Sequence, residues 1–305
     1  MRRSGYLTFL RPLATIKWQN GRTEGEIMSK TVAIIGLGLI GGSFAKAFKR
    51  HTDCRVIGFN RTRATAEQAL RDGAIDQIGE PEDLREADVI LLSLYPKASA
   101  DFVENHLEYI RPGCIITDDC GIKSYLVDRL VPLCKQCGFY YVGGHPMAGR
   151  EVSGYRASTP DLYKGASMLL VPTETSPRDV LEEVKQLFQQ LGFSQIVVTT
   201  PEHHDRMIAY TSQLCHIISS AYVKSRAETE HKGYSGGSYR DLTRVAYLNE
   251  TMWTELFLEN APALVPEIDE VIQHLQEYRD IIAAGDDQTL FRLLKEGRER
   301  KERFG

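Results

Sequence analysis

From Thr31 onward the chain switches repeatedly between short apolar runs and stretches whose apolar residues recur at helical spacing. Thr31-Val32-Ala33-Ile34-Ile35 is a β-rich run ending in glycine, and residues 39–50 follow with a helical period. The alternation continues with a strand at 55–59, a helix at 62–72 stopped by Gly73, a strand at 88–93, a helix at 97–109 and a strand at 114–118. A helix over 122–134, strands at 139–142 and 167–171, a helix at 177–191 and a last strand at 195–198 complete the series. Strands that alternate with helices and are apolar almost throughout predict a parallel sheet covered on both faces. Beyond Pro201 the strand pattern fades. Helices over about 203–228, 239–247, 250–283 with a break near Pro262, and 287–303 predict a mainly helical second half.

Ahead of this series, the N-terminal stretch carries Arg2, Arg3, Arg11, Lys17 and Arg22 with no apolar period and no apolar core of a secretory signal. Met28-Ser29-Lys30 leads straight into the first strand, as a natural start would, so residues 1–28 are expected to be an extension that adds nothing to the fold. Composition changes this picture little: 305 residues, 42% hydrophobic and 26% charged, suit two globular domains. A net charge of −4 argues against a nucleic-acid partner. Nothing approaches the ~18 uninterrupted apolar residues of a membrane span. The six cysteines are scattered through a chain too large to need staples, which predicts reduced thiols and a cytoplasmic protein. Cys134 and Cys137 form a CxxC, but without a second pair or a nearby histidine they read as ordinary thiols, and no metal site is expected.

The glycine pattern adds the first chemistry. Gly36-Leu37-Gly38-Leu39-Ile40-Gly41 is a GxGxxG that follows a strand, opens a helix and lies in a βαβ unit, the context that makes the motif specific for a dinucleotide. The helix start behind it offers N–H groups and a positive dipole end to a pyrophosphate. The predicted fold is therefore an α/β Rossmann-type NAD(P)-binding domain over 29–199, followed by a mainly α-helical domain over 200–305. At the end of the second strand, where an acidic residue would bond the ribose 2′-OH of NAD, stand Asn60, Arg61 and Thr62. Loss of the carboxylate removes repulsion of a 2′-phosphate, and Arg61 could pair with one, which tilts the reading toward NADP. Asn60 could still bond a hydroxyl, so NAD stays open.

Ligands of an open α/β sheet bind beyond the carboxyl ends of its strands. Three segments are expected there: Ser93-Leu94-Tyr95-Pro96, Asp118 through Lys123 with Ser124 next, and Gly143 through Gly149. Ser93, Leu94, Tyr95 and Asp118 are read as cofactor neighbours. His145, between glycines and a proline, can take a proton from a hydroxyl near neutral pH as hydride leaves the same carbon. In the helical half, Arg240 and Arg244 stand four residues apart, so a helix would put both on one face, where either could hold a carboxylate.

Together these segments resemble the prephenate/arogenate dehydrogenase family of tyrosine biosynthesis from about Lys30 to Asn260. The resemblance rests on the glycine turn with Gly42-Ser43, Gly144-His145-Pro146-Met147-Ala148-Gly149, Gly154, His204-Asp205, Ser212 with His216, Arg240-Asp241-Leu242-Thr243-Arg244, and Met252-Trp253. It implies an oxidative decarboxylation that turns prephenate into 4-hydroxyphenylpyruvate or arogenate into tyrosine. It further implies His145 as the catalytic histidine, Arg244 as the carboxylate ligand, His216 in the substrate pocket, and a homodimer formed by the helical domain. Lys123 and Ser124 join His145 as catalytic candidates; Arg240, Gln213 and Trp253 join the substrate set.

Two departures stand out. The family's serine in the 118–124 loop is Gly121 here, with Cys120 and Ser124 nearby, so that either Ser124 compensates or His145 acts with water alone, and one pocket histidine is replaced by Gln213. The length also leads us to expect a monofunctional enzyme without a mutase or regulatory domain. A β-hydroxyacid dehydrogenase or imine reductase shares the two-domain plan, but leans on a lysine rather than on the histidine of GGHPMAG. A dinucleotide-binding sensor without turnover is the remaining alternative.

Overall fold

The computed structural model describes residues 30–304, so the expected extension over 1–28 lies outside the described residues. Eight strands form one sheet in the order β3-β2-β1-β4-β5-β6-β7-β8. They are β1 (Thr31–Ile35), β2 (Arg55–Phe59), β3 (Gln77–Ile78), β4 (Val89–Leu92), β5 (Ile115–Asp118), β6 (Tyr140–Pro146), β7 (Ser167–Pro172) and β8 (Gln195–Val198).

Side chains of β1 alternate between two cores. Val32 and Ile34 pack with Phe44 and Phe48 of α1 (Leu39–His51), Ala66 and Ala69 of α2 (Arg63–Arg71), and Val184 and Phe188 of α5 (Arg178–Gln190). Ala33 and Ile35 face Ala100 and Val103 of α3 (Pro96–Asn105) and Leu126 and Leu130 of α4 (Ser124–Cys137). Both faces are covered, which is why the strands read as unbroken apolar runs.

The sheet is not wholly parallel, in contrast to the expectation from the apolar pattern. β7 runs antiparallel to β6, and β8 pairs parallel with β7. The reason lies in the connection: between β6 and β7 there is only one short 3₁₀ turn, Tyr155–Ala157, and not the helix that a parallel crossover needs. Pairing with β7 also prolongs β6 through Pro146, with His145 opposite Leu169. His145 therefore sits on a strand rather than in the loop expected after residue 142. The two-residue β3 is too short to show a period and went unpredicted.

In the helical half, α6 (Pro201–Ile208), a π-helical turn (Ala209–Gln213) and α7 (Leu214–Tyr222) occupy most of the predicted 203–228 helix. They are followed by α8 (Gly237–Thr243), α9 (Glu250–Glu259), α10 (Ala261–Ala284) and α11 (Asp287–Phe304). The expected break falls at Asn260, with Pro262 in the first turn of α10, where its missing N–H costs nothing. This half owns a small core, centred on buried Ala209, Leu214 and Leu264. No helix among the described residues is long and apolar enough to cross a membrane. α6 joins the halves: Asp205 accepts the backbone N–H groups of Lys123 and Ser124 at 2.7 and 2.8 Å.

Candidate active site

The glycine turn is built for close approach. Gly36 has φ 101°, and a Cβ there would lie 2.3 Å from the Ser93 carbonyl oxygen. A Cβ at Gly41 would lie 2.0 Å from the Gly36 carbonyl oxygen, so neither position admits a side chain. Gly38 caps α1 with nothing within 4 Å of an added Cβ. Leu39 and Ile40 open a helix start that has no side-chain cap and no acidic residue in its first turn. That open space, with its N–H groups, fits the pyrophosphate of a dinucleotide.

The ribose end differs from expectation. Asn60 Oδ1 accepts the Leu37 N–H at 3.0 Å, and its Nδ2 donates to the Thr62 carbonyl at 3.0 Å. Asn60 thus pins the glycine turn to the end of β2, with one of the two acceptor sites of its oxygen engaged. Arg61 and Thr62 are exposed. Among the described residues no ion pair engages Arg61, whereas Arg63 pairs with Glu80 and Glu67.

Leu94 packs against Gly36, and Tyr95 is the exposed N-cap of α3. Ser93 packs against Gly41 and donates its hydroxyl to Asp119. Burial pushes the Asp119 carboxyl up to about 7, opposed by the Ser93 hydrogen bond and assisted by the Asp118 charge. Nothing in the sequence pattern had singled out Asp119.

Asp118 and Lys123 were expected to face the cleft. Both side chains are instead fully buried and form an ion pair. Asp118 also accepts the Tyr141 hydroxyl at 2.8 Å and the N–H groups of Cys120 and Gly144 at 2.9 and 3.2 Å. A charge taken out of water needs that many partners. Through these bonds Asp118 ties the end of β5 to β6 and to Lys123 at the start of α4.

His145 stands at the end of β6, its Nδ1 2.9 Å from Nε2 of His204. His204 Nδ1 lies 2.8 Å from Asp205 Oδ1. Burial first, then the neighbouring His204 ring and the Lys123 charge, hold the His145 pKa well below its ordinary value, with Asp205 opposing. The imidazole is therefore neutral near pH 7 and able to accept a proton. Ser124 does not stand in for the missing serine, because its N–H and hydroxyl are both directed to Asp205. Gly121 does lie at that place: a Cβ added there would be 4.0 Å from His145 Cε1 and 3.6 Å from Leu256.

The substrate candidates assemble only in part. His216 of α7 packs on Trp253 of α9 with ring centroids 4.0 Å apart, and its Nδ1 donates to the Ser212 carbonyl at 2.8 Å. Burial lowers the His216 pKa, Ser212 opposes this, and Arg244 lowers it further, which puts the Arg244 charge beside that ring. Arg244 is exposed and paired with Glu151, a residue invisible to sequence reasoning because a lone acid in a loop carries no pattern.

α8 ends at Thr243 and a 3₁₀ turn, Arg244–Ala246, follows directly, so Arg240 and Arg244 stand four residues apart on one helical run. Arg240 is exposed, its Nε donating to Gly236, and no hydrogen bond or ion pair joins it to this group. Gln213 is buried, with Nε2 on the Leu256 carbonyl at 3.0 Å and Oε1 accepting from Asn260 at 2.7 Å. Its amide ties helices together rather than facing a ligand. Among the described residues no group of side chains has the makings of a metal site.

Known proteins resemble this chain in sequence and fold. Residues 44–197 match the family model described as the nucleotide-binding domain of prephenate dehydrogenase, and residues 200–296 match its dimerization domain. The chain is 32% identical over 282 residues to a cyclohexadienyl dehydrogenase of Zymomonas mobilis, covering 88% of this chain and 94% of that one. It is similar to the crystal structure of prephenate dehydrogenase from A. aeolicus in complex with hydroxyphenyl propionate and NAD+, with a TM-score of 0.82, 26% identity, and coverage of 92% and 100%. It is also similar to the crystal structure of Synechocystis arogenate dehydrogenase, with a TM-score of 0.78, 25% identity, and coverage of 90% and 100%.

Proposed function

The chain belongs to the prephenate dehydrogenase family, and on that premise we propose that it oxidatively decarboxylates prephenate to 4-hydroxyphenylpyruvate. The observation that carries this reading is the His145 imidazole at the strand end, its Nδ1 2.9 Å from His204, in the same sheet as a glycine turn shaped for a pyrophosphate. His145 Nε2 takes the proton of the ring hydroxyl while hydride leaves the same carbon. The ring carboxylate departs as CO2, and aromatisation makes the step effectively irreversible. A bound oxidised nicotinamide supplies the acceptor for the hydride. The Arg244 guanidinium suits a substrate carboxylate, with the His216 and Trp253 rings beside it as pocket walls.

We assign the cofactor to NADP ahead of NAD, because Arg61 is exposed without an ion-pair partner among the described residues and an asparagine rather than a carboxylate stands at position 60. The helical half is proposed to form a homodimer, and the six unpaired cysteines suit a cytoplasmic setting. A second reading, arogenate as substrate, is favoured by the likeness to the Synechocystis enzyme.

The deciding assay monitors reduced-cofactor absorbance with prephenate and with arogenate, each with NAD and NADP. Turnover of prephenate with NADP preferred is expected. Silence in all four arms overturns the activity, arogenate turnover alone selects the second reading, and a tenfold preference for NAD removes Arg61 from cofactor choice.

A further inference from the structure

Asp205 sits where its carboxylate must be ionised. Both oxygens accept backbone N–H groups, from Lys123 at 2.7 Å and Ser124 at 2.8 Å, at the N-terminus of α4 where the helix dipole favours negative charge. Burial pushes its pKa up, but the hydrogen bonds from His204 and Ser124 outweigh that and hold it below the ordinary range. An ionised carboxylate can only accept. The His204 Nδ1, 2.8 Å from Asp205 Oδ1, therefore carries the proton.

Burial also holds the His204 pKa low, so this imidazole is neutral and has one N–H to give. Its Nε2 is then a bare acceptor, and the His145 Nδ1 2.9 Å away must be the donor. His145 is neutral too, so its lone pair is left on Nε2. The opposite tautomer of either ring would set two lone pairs, or two N–H groups, against each other.

We propose that His204 and Asp205 are positioning residues that fix the proton of His145 on Nδ1, so that Nε2 is the base, with the Asp205 charge favouring the imidazolium after proton uptake. The inference rests on the reading of His145 as the base. In the step, the substrate O–H bond breaks and an Nε2–H bond forms, while the Nδ1–H stays hydrogen-bonded to His204. The charges around His145 come from three places. Asp205 on α6 favours the imidazolium, and Lys123 ahead of α4, paired with Asp118 of β5, opposes it. α6 itself is anchored: Asn260 Nδ2 donates to the Asp205 carbonyl at 2.9 Å, and Thr200 caps the helix.

The test uses the full-length enzyme, the substrate it turns over, and three variants. His204→Leu is expected to lower kcat about 10²-fold or more, the scale on which loss of a tautomer-fixing partner acts, with cofactor Kd unchanged. His204→Gln, whose amide can accept from His145 and donate to Asp205, should recover most of that loss. ¹⁵N NMR of histidine-labelled wild type, with the His145 signals assigned by their absence in His145→Ala, should report Nδ1 protonated and Nε2 bare. A His145 proton on Nε2, or a His204→Leu variant with wild-type kcat and an unshifted acidic limb of kcat/KM, overturns the relay. His145→Ala tells the two readings apart: normal kcat there removes the base itself, whereas loss there with an intact His204→Leu removes only the relay.

Discussion

At Gly41 an added Cβ would sit 2.0 Å from backbone, whereas at Gly121 the nearest atom is 3.6 Å away and belongs to a flexible leucine. The same small change should therefore act oppositely at the two positions. Gly41→Ala is expected to weaken dinucleotide binding tenfold or more in a fluorescence titration, because the turn must open to admit a methyl group. Gly121→Ser should leave stability within about 0.5 kcal/mol and bring a hydroxyl toward His145, raising kcat/KM for the substrate. A Gly121→Ser enzyme with unchanged or reduced kcat/KM would mean that His145 acts without help from that side. The glycine positions and His145 were legible in the sequence because each constraint is local: a tight turn needs glycine, and the carboxyl end of a strand presents its last residues to the cleft. The fate of Asn60 was not, since a lone asparagine gives no hint that its oxygen accepts from Leu37, 23 positions away.

Among the elements, the junction of α9 and α10 holds the helical half to the site. Asn260 is buried there and donates to the Asp205 carbonyl at 2.9 Å and to Gln213 Oε1 at 2.7 Å. Asn260→Ala would strand the buried Gln213 Oε1 and leave the Asp205 carbonyl with only the Ala209 N–H, a loss of about 1–3 kcal/mol. The midpoint of urea unfolding should fall accordingly with an unchanged slope; an unmoved midpoint would show that the junction is held by packing alone. Periodicity located this junction correctly through Pro262. It also found the run of α6, the π turn and α7 as one continuous helical stretch, and missed only the π turn inside it and the end at Tyr222, because a π turn keeps apolar residues on nearly the same stripe.

Over the whole molecule, the helical half exposes more apolar surface than its small core explains. Leu258, Leu275, Ile282, Phe291 and Leu294 are each more than half exposed, and Leu275 and Ile282 share one face of α10 at a seven-residue spacing. Sedimentation at micromolar concentration is expected to give a dimer. Leu275→Glu combined with Ile282→Glu should yield monomers of lower Tm. Wild-type monomers would overturn the dimer, and a double variant that still dimerises would put the interface elsewhere.

By itself the sequence determined the elements and the chemistry they offer: βα alternation through residue 198, the glycine turn, His145 and the helical half. Each of these depends on spacing within a few residues. Only the tertiary structure decided partners. The direction of β7 comes from a connection without a crossover helix, and the withdrawal of Lys123 and Asp118 into a buried pair comes from burial on all sides. Gln213 was diverted to Asn260 in the same way. Most of all, His204 and Asp205 stood as a visible pair, but 59 positions separate His204 from the His145 ring it meets at 2.9 Å. Spacing along a chain carries no information about a contact of that kind, which comes from packing α6 against the end of the sheet.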